Sequence, residues 1–212
     1  MILKTYDLDK NIHAKFFLFH GVNDGQKEEI IEKKFKPFFG ENLFKYFENE
    51  IFSDIDNFHN QVLSKSFFEK NKLIIIKDAS DKIKNEIEIL KEKNLDDIKI
   101  ILISNILDKK SKLRNLFEKE IDLVSIAFYS DNNQTLSTIT KTFFLKKDIS
   151  ISQESINLIV SRANGDRKSL NNELAKIESF LIDKKKISVE EIYILTNLSE
   201  NYSINELVDN CL

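Results

Sequence analysis

Gly21 and Lys27, in the stretch FFLFHGVNDGQKEEII from Phe16 to Ile31, stand at the spacing of a phosphate-binding loop, G-x-x-x-x-G-K-[ST]. In such a loop, backbone N–H groups cradle phosphate oxygens, the Lys reaches the outer phosphates and the hydroxyl ligates Mg²⁺. Four apolar residues run into a glycine-bearing turn and then into a helical pattern, which is the strand, loop and helix that this chemistry needs. The rest of the set is missing. Gln26 takes the place of the second glycine and closes off the backbone approach, and Glu28 replaces the hydroxyl with a carboxylate that repels a triphosphate. Lys27 keeps its register, but a Lys in the first turn of an exposed helix is ordinary, and a structural role is expected of it. The loop is expected to keep the shape of a nucleotide site without binding nucleotide. His13, His20 and His59 share no spacing with one another or with acids that suggests a metal site or a triad, so exposed or satisfied histidines are expected. Asp54 and Asp56 flank a helix start and read as caps that favour its dipole. No metal, cofactor or nucleophile is expected.

Positioning these residues requires a sheet covered by helices. Short apolar runs at Lys15–Phe19, Asn42–Phe47, Leu73–Ile76, Lys99–Ser104 and Leu123–Phe128 read as strands. Helical spacing fills the intervals at Gln26–Lys36, Ile55–Phe68, Asp81–Lys93 and Lys110–Lys119. The Ile-rich runs at Leu73 and Lys99 have the near-continuous hydrophobicity of central parallel strands buried on both faces. After Phe128 only helical spacing remains: Gln134–Phe144, Gln153–Ala163, Lys168–Ile182, Val189–Leu195 and Ile204–Leu212. Ser152 and Ser188 cap two of these, and Asn164 with Gly165 supplies a left-handed turn before Asp166 caps the next. An α/β unit over residues 1–140 and a helical unit over 141–212 are therefore expected.

Composition narrows the function classes. In 212 residues, 42% are hydrophobic, enough for a core, and 32% are charged with a net charge of only −3, which argues against a dedicated nucleic-acid module. DNA contact is expected to be secondary. The single Cys, Cys211, excludes an internal disulfide and a Cys-based zinc site, and fits a reducing, cytoplasmic setting. Apolar runs such as Leu73–Ile76 are far short of the ~18 residues of a membrane span, so no membrane association is expected.

An α/β unit with a spoiled phosphate loop, followed by a small helical lid, resembles an AAA+ module that does not hydrolyse ATP. In detail it resembles the delta subunits of bacterial DNA polymerase III clamp loaders. The resemblance rests on FFLFHGVNDGQKEEII, SKSFFEKNKLIIIKDAS, ILISNILDKKSKLRNLFEK, GDRKSLNNELAKIESFL and ISVEEIYILTNLSENYSINELVDN, in that order along nearly the whole chain. It implies a replication subunit with no catalysis of its own, belonging to a polymerase holoenzyme whose nucleotidyl transfer lies elsewhere. Lys77 and Asp78 then stand at the acid pair that would hold Mg²⁺, leaving it incomplete. Asn105 stands at a sensor position, where a strand-end role is expected. Arg167 stands at the lid arginine, where a structural role is expected.

The resemblance also implies the partner. Delta subunits hold the beta sliding clamp by an apolar pair at the end of the helix before the third strand, which here reads Ser66, Phe67, Phe68. Lys65 and Lys70 would form a rim that speeds encounter with an acidic clamp. Phe67 departs from the Leu frequent there. Other loader subunits join through a helical collar, which is expected to be absent from a chain ending at Cys211 and Leu212. An ATP-binding AAA+ loader subunit and a non-catalytic DNA-binding scaffold are the alternatives.

Overall fold

A computed structural model describes residues 1–64, 71–93, 95, 97–182 and 184–196. The chain divides into two compact units, Met1–Tyr129 and Ser130–Leu212.

The first unit is built on a parallel sheet of six strands: β1 (Ile2–Leu3), β2 (Phe16–Gly21), β3 (Leu43–Phe47), β4 (Lys72–Lys77), β5 (Ile98–Ser104) and β6 (Leu123–Phe128). Their order across the sheet is β1-β6-β2-β5-β4-β3, and every pairing is parallel. The continuous apolar runs follow from this architecture, because successive side chains point to opposite faces and both faces are covered. Phe16, Leu18, Ile74, Ile76, Ile100 and Leu102 point to one core, which also takes Phe58, Val62, Ile87 and Phe117 from helices. Phe17, Phe19, Ile75, Ile101, Val124 and Ile126 point to the other, which takes Leu8, Ile31 and Phe35.

The connecting helices are α1 (Asp24–Ile30), α2 (Lys36–Phe39), α3 (Glu48–Ser53), α4 (Ile55–Leu63), α5 (Lys84–Lys91) and α6 (Lys112–Lys119). A π-helical segment, Ile31–Phe35, joins α1 to α2. Pro37, at the start of α2, lacks the N–H that an α ladder would use there, which accounts for the widened turn before it. Asp54 caps α4 by accepting from the Asn57 N–H at 3.1 Å, as its position predicts. The helix does not run unbroken to Phe68. It closes at Leu63, where Ser64 turns out of helical conformation with ψ 120°.

The second unit is helical: α7 (Asn133–Lys146), α8 (Gln153–Ala163), α9 (Arg167–Phe180) and α10 (Val189–Thr196). Their apolar faces share a core of Leu136, Phe144, Ile156, Ile159, Leu174 and Ile177 among others. Residue 140, where the sequence pattern places the boundary, lies inside α7. That helix contributes Leu136 and Phe144 to the helical core, so the compact units part before it, at Tyr129. Ser152 and Asp166 cap α8 and α9, and Asn164 and Gly165 take the left-handed conformation between them (φ 46° and 77°). The run at Ile204–Leu212 lies outside the described residues.

β2 ends on Gly21 at φ +119°, and a Cβ built there would lie 2.2 Å from the Phe128 carbonyl oxygen of β6. Gly21→Ala is therefore expected to destabilise the first unit by about 3 kcal/mol or more. Urea unfolding read by far-UV circular dichroism measures this, and an unchanged midpoint would refute the close approach.

Candidate functional site

In open parallel sheets ligands bind beyond the carboxyl ends of strands, at the point where the strand order reverses. Here the chain leaves β2 for the far edge at β3 and later crosses back over β2 to reach β6, so that point lies at the ends of β2 and β5. Gly21, Gln26 and Lys27 meet there. Lys27 is not at the surface that an exposed first helical turn implies: it is 1% exposed. Its ammonium donates to the carbonyls of Gly21 at 2.7 Å and Ser104 at 2.8 Å, and to Asp24 Oδ1 at 2.8 Å. It turns inward toward the carbonyls of the last residues of β2 and β5. Glu28 remains exposed.

The backbone donors of the loop are directed within the protein. Gly21 N–H donates to Asn105 O at 3.1 Å, Val22 N–H to Phe128 O at 3.0 Å and Asp24 N–H to Val22 O at 3.1 Å. Gln26 N–H donates to Asn23 Oδ1 at 3.0 Å, the N-cap of α1, and Lys27 N–H to Asn23 O at 3.1 Å. Asn23 Nδ2 in turn donates to Tyr129 O at 2.9 Å, tying the loop to the end of β6. Of these, the N–H groups of Asp24, Gln26 and Lys27 lie where a phosphate cradle would aim outward. His20, buried beside this mouth, has its pKa pushed down to about 4, first by burial and then by the positive charges of Arg114 and Lys27, with Glu118 opposing.

Of the remaining nucleotide-type positions, two lie at the ends of β4 and β5 and one in the second unit. Lys77 ends β4 with its ammonium 5.8 Å from the centre of the Phe47 ring, and Asp78 is exposed at φ 55°. Asn105 is exposed just past β5, and its carbonyl receives the Gly21 N–H. In the second unit, Arg167 forms a bidentate pair with Asp131, Nε to Oδ2 at 2.7 Å and Nη2 to Oδ1 at 2.6 Å, with both side chains over nine-tenths buried. His59 is satisfied by Glu86 at 2.9 Å. Among the described residues no cluster of three metal-ligating side chains occurs, and no helix is long and apolar enough to cross a membrane.

Lys65, Ser66, Phe67, Phe68 and Lys70 lie outside the described residues; both flanks of the stretch are described. On the near flank, Gln61 Oε1 accepts from Tyr46 Oη at 2.6 Å, and Ser64 Oγ donates to Gln61 O at 2.9 Å. On the far flank, Lys72 opens β4 with a buried ammonium that reaches back to the end of α4, donating to Ser64 O at 2.7 Å, Ser64 Oγ at 3.1 Å and Gln61 O at 3.3 Å. Sequence reasoning missed Lys72. Its one signal is a cation placed directly against the buried run Leu73–Ile76.

No family model and no curated protein matches the sequence. Among solved structures, the Bacillus subtilis DNA clamp loader delta protein superposes with a TM-score of 0.59 at 18% identity, covering 97% of this chain and 65% of that one. The chain has an AAA+-like fold. The Thermotoga maritima RuvB Holliday junction branch migration motor superposes at 0.55 with 12% identity, covering 90% of this chain and 63% of that protein. The chain thus spans about two thirds of the length of each of these proteins. The AAA+-like α/β sheet with its helical second unit agrees with the fold expected from the sequence pattern.

Arg167→Leu would leave the Asp131 carboxylate buried without its bidentate partner. It is expected to destabilise the second unit by about 3 kcal/mol. Amide exchange across α8 and α9 reports this, whereas unchanged protection would assign Arg167 a role outside the fold.

Proposed function

We propose that the chain is a delta-type clamp-loader subunit of DNA replication, which binds the ring-shaped beta sliding clamp and biases it toward opening without hydrolysing ATP. The observation that carries this reading is the closed loop at the switch point. Lys27 and the N–H groups of Gly21, Val22, Asp24, Gln26 and Lys27 are all spent on protein oxygens, in a fold shared with a clamp loader delta protein. A subunit that keeps the fold but closes the nucleotide mouth acts through a surface. In this reading that surface is Ser66, Phe67 and Phe68, with Lys65 and Lys70 at its rim. Two large rings entering an apolar clamp pocket would supply hot-spot contacts. Other loader subunits are partners in the same assembly, and DNA contact is secondary.

Three outcomes are expected. Titration calorimetry with Mg-ATP should show no binding by the isolated protein, and Gln26→Gly with Glu28→Thr should not restore hydrolysis, because Lys77 still holds an acid position. Micromolar, Mg-dependent binding would overturn the closed-loop reading in favour of an ATP-binding loader subunit. Replacing Phe67 and Phe68 by Ala should weaken binding to the organism's own sliding clamp by about a hundredfold or more, at roughly 2 kcal/mol per lost anchor, with the melting temperature unchanged. A large fall in melting temperature would instead make the pair core.

A further inference from the structure

We propose that the cavity at the amino ends of β2 and β5 is a docking site for an acidic peptide segment that carries a large apolar side chain. The cavity, of about 320 Å³, lies at the opposite end of the sheet from Lys27, where residues 12–15 lead into β2, β5 begins, and the π-helical segment passes into α2. Ligand pockets span roughly 300–1,000 Å³, so it has room for a side chain and the groups beside it. Ile12, Phe39 and Ile98 give it apolar walls, and Phe38 lines it while remaining largely exposed. An exposed ring beside an apolar cavity has area to bury against a partner.

Three lysines, Lys15, Lys34 and Lys99, line the cavity against one acid, Asp97, in a chain whose net charge is −3. Lys34 is shared with Asp9 at 2.8 Å. Lys99 is not neutralised in this way. Its half-buried ammonium donates to the carbonyls of Ile12 and, at 3.1 Å, Ala14, and lies 5.7 Å from the centre of the Phe17 ring, and among the described residues it meets no carboxylate. Burial lowers its pKa from the ordinary lysine value. An ammonium has three N–H donors, of which the two carbonyls take two. A carboxylate entering the cavity would accept from the third and replace solvation that burial removed. The charge pattern favours a peptide over a nucleic-acid strand, because a phosphate backbone needs cations in a continuing row. In the adjoining cavity, which shares His13 and Lys15, Lys10 is paired with Asp7 at 3.1 Å and Lys91 with Glu120, so the row stops. A short run of carboxylates next to one apolar anchor matches a local excess of positive charge beside apolar walls.

The test titrates the full chain, labelled with nitrogen-15, with a synthetic hexapeptide of two serines, two aspartates, a leucine and a phenylalanine in that order, and follows the amide chemical shifts. Binding is expected to shift the amides of Phe38, Phe39, Ile98 and Lys99 most, and to weaken as salt is added. Lys99→Met, which keeps the apolar stem and removes the donors, should weaken it about tenfold. Phe38→Ala should weaken it about fivefold, and Asp97→Asn should strengthen it about threefold by removing a like charge. A peptide with asparagines in place of both aspartates should leave the four amides unshifted. Absence of shifts there at millimolar peptide, or parent-like affinity in both Phe38→Ala and Asp97→Asn, would overturn the proposal. An oligothymidylate that shifts the same amides at lower concentration than the peptide would also overturn it and assign the cavity to nucleic acid. If Lys99→Met does not fold, Phe38→Ala and Asp97→Asn decide the outcome, since both side chains are exposed.

Discussion

The switch point is built around a buried cation, Lys27. An ammonium buried to the extent of Lys27 must be surrounded by acceptors, or the charge would be too costly to keep inside. Two of its acceptors are the carbonyls of Gly21 and Ser104, at the ends of adjacent central strands. The bond geometry therefore sets how far apart β2 and β5 can splay where the strand order reverses. The close approach of Gly21 to Phe128 sets the same limit between β2 and β6. His20, one residue before Gly21, stays neutral at ordinary pH because burial and two neighbouring cations oppose its protonation, so no further positive charge enters the mouth.

Lys72 repeats the device at another kind of terminus. Lys27 gathers carbonyls where strands end, and Lys72 gathers those where a helix ends. In each case a long flexible side chain with a compact charge reaches main-chain oxygens at the end of an adjacent element. The first lysine holds the ends of β2 and β5 together, and the second joins the end of α4 to the start of β4.

The parts legible in the sequence are those set by local period. Ile-rich runs gave β4 and β5 because a two-faced parallel strand leaves no polar position, and the caps at Asp54, Ser152 and Asp166 were readable because each hydroxyl or carboxylate meets N–H groups within one turn. The parts that were not legible depend on distant neighbours. β1 is only Ile2–Leu3, too short to show alternation, and exists because β6 offers it an edge. α3, at Glu48–Ser53, carries four polar residues and was missed; Ile51 enters the core, and the Glu48 carboxylate accepts from Ser80 N–H and Oγ beyond β4. The burial of Lys27 was hidden for the same reason, since its partner Ser104 is on another strand. A residue type and its register say what a side chain could bond; the oxygens that it does bond are set by sheet order.

Adjacent phenylalanines occur in four places, and their element decides what each pair can do. Phe16 and Phe17 lie on a strand with both faces covered, so opposite directions bury both rings. Consecutive helical residues diverge by about 100°, so a helix packed on one side buries one ring and presents the other. Phe144 is buried while Phe143 keeps a face for the Lys147 ammonium, 5.0 Å from its centre, and Phe39 packs on the core while Phe38 is 71% exposed. Only a second covering surface hides both members of a pair. In the proposed function, the clamp pocket is that second surface for Phe67 and Phe68.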